Sequence, residues 1–66
     1  MFRREFLAVL RGDIPAEALP TRLRHRLVYE LHTSGLTDGE IADATQMTWY
    51  TAARIREELG LRPNRR

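Results

Sequence analysis

Apolar residues recur at helical spacing in successive stretches of this chain, and nowhere do they alternate in the way a strand requires. The pattern therefore predicts an all-α protein. Phe2, Phe6, Val9 and Leu10 mark a first helix over about 3–11, closed by Gly12. Leu23, Leu27, Val28 and Leu31 mark a second over about 21–34, closed by Gly35, with Leu36 placed to fold back on Leu31. The connector from Asp13 to Pro20 carries Pro15 and Pro20, so at most one helical turn is expected there, with Ile14 and Leu19 as inward anchors.

Two further helix starts lie eleven residues apart. Thr37 and Glu40 form a capping box, in which the Thr hydroxyl and the Glu carboxylate satisfy orphan amide donors, and Leu36 and Ile41 occupy the staple positions around it. Thr48 repeats the cap, with Met47 and Ala52 as its staple. A third helix over 38–45 and a fourth over 49–59 follow. Gly60 stops the last one, with Leu61 folding back on Ile55 and Pro63 barring continuation. Residues 1–61 read as one small four-helix domain whose motif spans 37–59, and 62–66 as a basic flexible tail.

Gly35, Thr37, Asp38, Glu40, Ile41 and Ala42, then Thr45, Met47 and Thr48, then Arg54, Ile55, Arg56, Leu59, Gly60 and Leu61 give G-x-T-D-x-E-I-A, T, M-T and R-I-R-x-x-L-G-L. Over residues 21–61 the chain resembles the bacterial and phage helix-turn-helix family, in the four-helix type of LuxR-like regulators and the promoter-reading domain of sigma factors. That resemblance implies a DNA-binding fold in which Ala42 lets two helices approach closely and Ile41, Met47, Ala52 and Ile55 share a core. One position departs from the family pattern. Gln46 stands where the turn usually has Gly, at a steric cost of about 1 kcal/mol for a left-handed conformation.

Sixty-six residues make one domain of marginal stability. With no Cys, and only His25 and His32 as soft ligands, neither a disulfide nor a structural metal site is expected, nor is any cofactor. Dimerisation or a bound partner is the expected stabiliser, and the spare apolar helix at the N-terminus is either the dimer interface or the element that completes the monomer core. Absence of Cys fits a reducing cytoplasm. The start MFRREFLAVL brushes against a twin-arginine export signal, but Phe6 to Leu10 is too short an apolar run, and nothing is long enough to span a membrane.

Formal charge is only +2, yet all eleven basic residues are Arg. That bias suits planar, bidentate recognition of phosphate and guanine, and codon usage in a GC-rich genome is the plainer and favoured cause, so placement says more. Residues 45–66 hold five Arg against Glu57 and Glu58, whereas 36–44 hold Asp38, Glu40 and Asp43 and no base. The basic cluster falls on the fourth helix and the tail, where DNA phosphates would lie.

On a helical wheel Thr48, Ala52, Ile55 and Leu59 share one face of the fourth helix, and Tyr50, Ala53, Arg54 and Glu57 the opposite one. The first is core and the second enters a major groove. Trp49, Tyr50, Ala53, Arg54 and Glu57 are the candidate base contacts, led by Arg54, whose guanidinium matches guanine O6 and N7. Pairing with Glu57 or Glu58 is the plain alternative for Arg54, and packing into the core is the one for Trp49 and, less so, for Tyr50. Thr48, Thr51, Arg56, Arg62, Arg65 and Arg66 are the candidate phosphate contacts, Thr48 serving at least as a cap. Arg22 and Arg26 lie one turn apart on the polar side of the second helix, within reach of the phosphate backbone beside the groove, with keeping the domain soluble as the favoured reading.

No nucleophile, acid–base pair or phosphate-cradling Gly loop is present, so an enzyme is not expected. The expectation is a sequence-specific transcriptional regulator that binds double-stranded DNA as a homodimer. A competing reading is an interaction module that docks Trp49, Tyr50 and the Phe2/Phe6 helix on RNA polymerase, a sigma factor or another regulator. A recombination or architectural accessory would share the same fold.

Overall fold

A computed structural model describes residues 3–65 and contains four α-helices and one 3₁₀ turn: α1 (Arg4–Leu10), the turn Ala16–Ala18, α2 (Thr21–Thr33), α3 (Asp38–Thr45) and α4 (Trp49–Glu58). Each helix lies within about one residue of its expected span, because the signals that set the ends are local. At α3 the Glu40 amide donates to Thr37 Oγ1 at 3.2 Å and the Thr37 amide to Glu40 Oε1 at 2.9 Å, completing the capping box. At α4 the Thr51 amide donates to Thr48 Oγ1 at 3.1 Å. α2 and α4 both end in the six-to-one arrangement that a left-handed glycine permits: Leu36 N donates to Leu31 O at 3.2 Å past Gly35, and Leu61 N to Arg56 O at 3.1 Å past Gly60.

Gln46, Met47 and Thr48 join α3 to α4. Gln46 takes φ 60° and ψ 21°, the left-handed conformation in which its side chain carries a steric cost. The turn thus keeps its geometry without glycine.

Phe6 and Val9 from α1, Ala16 and Leu19 from the connector, Leu27, Val28 and Leu31 from α2, Ile41 and Ala42 from α3, and Met47, Ala52 and Ile55 form one core. Both apolar anchors of the connector behave as expected, Leu19 buried and Ile14 packed against the core. For α1 the second of the two expected arrangements holds. Phe6 and Val9 are 2% and 0% exposed, so its apolar face completes the interior of a single chain instead of waiting for a second copy. Phe2, the other residue assigned to that face, lies outside the described residues. A radius of gyration of 10.5 Å is that of a compact chain of this length. No helix among the described residues is long and apolar enough to cross a membrane.

Candidate nucleic-acid interface

α4 packs one side into the core and leaves the other in solvent. Ala52 and Ile55 are buried and Leu59 half-buried, as the wheel requires, whereas Thr48 is exposed. On the outer side Tyr50, Arg54 and Glu57 are exposed and Ala53 is half-buried between them. Arg54 Nε stands 3.4 Å from Glu58 Oε2, one turn on, and both side chains remain open to water. Such a pair contributes at most about 1 kcal/mol, so it opens readily for a better partner.

Trp49 is 68% exposed and Tyr50 72%. Tyr50 points outward. The Trp49 indole lies over Gly39 at the start of α3, so its ring occupies the rim between α3 and the outer face of α4. It is neither core nor fully free.

Arg56 corrects the sequence expectation. It is 7% exposed and so is not available to phosphate. Its Nε donates to Asp38 Oδ1 and Oδ2 at 2.8 and 3.0 Å, and its Nη1 to the Leu61 carbonyl at 2.9 Å. The wheel holds the reason: four residues advance the helix by only about 40° beyond a full turn, so Arg56 follows Ala52 into the buried arc. There it survives as a charge because Asp38 neutralises it. Thr48 and Thr51 are also spoken for in part, since Thr48 accepts the Thr51 amide and its hydroxyl donates to Thr51 Oγ1 at 3.0 Å.

The C-terminal segment makes hydrogen bonds to α2 and to Leu36 just past its end. Asn64 Nδ2 donates to the carbonyls of His32 and Leu36 at 2.8 and 2.9 Å, and His32 Nε2 donates to the Arg62 carbonyl at 2.6 Å. His32 Nδ1 is buried with no hydrogen-bond partner among the described residues. The side chains of Arg62 and Arg65 are exposed beyond this anchor, and Arg66 lies outside the described residues.

His25 and Glu58 form a contact no local pattern signals. His25 Nδ1 lies 3.0 Å from the Thr21 carbonyl and Nε2 2.9 Å from Glu58 Oε1. Glu58 thereby accepts from both His25 and Arg54. The His25 hydrogen bond outweighs an opposing desolvation and, with Arg54 lowering it further, holds its carboxyl below the usual 4.5. No group of three or more His, Cys, Asp or Glu among the described residues is placed to hold a metal ion.

Fold and site together define a small all-helical domain ending in two short helices across a three-residue turn, with an open polar face on the last. Set against protein-family models, curated proteins and solved structures, the chain finds no match.

Proposed function

We propose that this chain is a sequence-specific DNA-binding transcriptional regulator that sets the outer face of α4 in the major groove. The observation that carries the reading is the row of Tyr50, Arg54 and Glu57, exposed on a helix whose other side is buried. Arg54 is the principal base reader. A bidentate contact to guanine discriminates by about 1 to 3 kcal/mol, more than the exposed Glu58 pair it must give up. Arg62 and Arg65 supply phosphate contacts, and Asn64 between them sets where they start.

The domain acts as a homodimer on a palindromic site, through a surface other than the buried face of α1. Selection from random duplex DNA with the purified protein is the decisive experiment, and it should return paired half-sites roughly 34 Å apart. Arg54→Ala should then relax preference at one base pair. Failure to enrich any sequence removes the proposal; unchanged preference in Arg54→Ala removes the base-reader assignment alone.

Exposure of Trp49 and Tyr50 favours a second reading, docking on RNA polymerase, a sigma factor or another regulator. Phe6 takes no part in such a patch because it is buried. Binding that survives salt sufficient to strip DNA would distinguish it.

A further inference from the structure

The first two turns of α2 hold three arginines that the fold uses differently. Arg24 bends back over the connector and donates to the carbonyls of Ala16, Glu17 and Leu19 at 3.4, 3.4 and 3.1 Å. It is a structural clamp. Arg22 and Arg26 point outward, and with His25 and Tyr29 they make a stripe at i, i+3, i+4 and i+7 along a shallow groove closed by Leu59, just past the end of α4. Arg26 sits with its guanidinium carbon 5.8 Å from the Tyr29 ring centroid and its Nε 3.3 Å from Glu30, which orients the fork without burying it. Arg22 makes no ion pair among the described residues.

Both nitrogens of His25 face acceptors, the Thr21 carbonyl at 3.0 Å and the Glu58 carboxylate at 2.9 Å. Through Glu58 it also joins this stripe to Arg54 on the outer face of α4. The two flanks of that face differ in what they offer an anion: α3 has no basic residue and carries Asp38, paired with Arg56, Glu40 of the capping box and exposed Asp43, whereas α2 presents Arg22 and Arg26, the latter paired with Glu30.

We infer that the Arg22–His25–Arg26–Tyr29 stripe is a second nucleic-acid contact, gripping the phosphodiester strand that borders the groove occupied by α4. The inference rests on the proposed DNA reading. A helix about 10 to 12 Å across fills a major groove about 12 Å wide, so phosphates press on whatever flanks the helix. The α2 flank presents two exposed arginines, and α3 has no basic residue. Phosphate contacts need charge and reach, which two exposed arginine forks and a tyrosine hydroxyl supply. An acidic protein segment fits less well, because the groove offers it Leu59 and one Tyr as apolar anchors, and Arg26 already covers that ring.

The test is the dependence of duplex affinity on salt for wild type and for the double variant Arg22→Ala/Arg26→Ala, on the sequence returned by selection. Circular dichroism should be unchanged, since both side chains are exposed. The slope of log affinity against log salt should fall by about one per arginine, with base preference intact, and Arg22→Lys/Arg26→Lys should restore it. An unchanged slope in the double alanine variant, with wild type still binding specifically, overturns this inference and leaves the α4 reading standing. Retention of a polyglutamate peptide by wild type at a salt that releases the duplex overturns it too. If wild type binds no duplex at all, the DNA reading itself fails and the stripe assignment with it.

Discussion

The Trp49 indole lies where a side chain on Gly39 would have to stand. A Cβ built on Gly39 would meet Cη2 at 2.7 Å and Cε2 at 3.0 Å, with Cζ2 nearer still. Gly39 is therefore a matter of space: it sits inside α3 and is buried beneath the ring. Glycine in a helix costs about 1 kcal/mol relative to alanine, and here that cost secures the seat of the aromatic ring at the rim of the α4 face.

Gly39→Ala should move Trp49. Helix propensity alone offers about 1 kcal/mol of added stability, and the displaced ring should cancel it. Tryptophan emission and near-ultraviolet circular dichroism should change while the denaturation midpoint does not rise. A full gain in stability with an unaltered spectrum would refute the seat.

Arg56→Ala should destabilise the domain by about 3 kcal/mol, because it strands the Asp38 carboxylate in a half-buried position and frees the Leu61 carbonyl. That is a large share of the stability of so small a chain. Asp38→Asn/Arg56→Met should recover most of it by removing both charges. Urea denaturation of the two variants tests the pair, and equal losses in both would show that packing, not charge, dominates.

Acid should weaken the His25–Glu58–Arg54 link. Glu58 has a lowered folded pKa, so its contribution is fully present above its ordinary 4.5 and is lost as pH falls through the lower folded value. The group is exposed and the effect small. Comparing denaturation midpoints of wild type and Glu58→Gln from neutral pH into acid should show the two curves converging below about 4.5. Parallel curves across that range would mean Glu58 is not coupled to folding.

Asn64→Ala should loosen the C-terminal segment. Its amide serves two partly buried carbonyls, those of His32 and Leu36, and losing it should cost about 1 kcal/mol. Hydrogen exchange should rise at residues 61–65 with little change in the α3 core. If Arg62 and Arg65 need that anchor, the salt dependence of DNA binding should change alongside.

The sequence by itself determined the four helices, their caps and the turn between the last two. These depend on residues three or four apart, so the Thr37/Glu40 box, the Thr48 cap and the glycine stops act before any tertiary contact forms. The apolar period likewise named most of the core. The tertiary structure alone decided the fate of side chains whose partners lie far along the chain. Arg56 became an internal ion pair because Asp38, eighteen residues earlier, reaches it across the turn. His25 met Glu58 across thirty-three residues, Asn64 met Leu36 across twenty-eight, and Phe6 turned from a spare surface into core once α1 packed on α3. Charge and polarity announce that a side chain needs a partner, but only the folded chain determines whether that partner is solvent, a distant residue or a ligand.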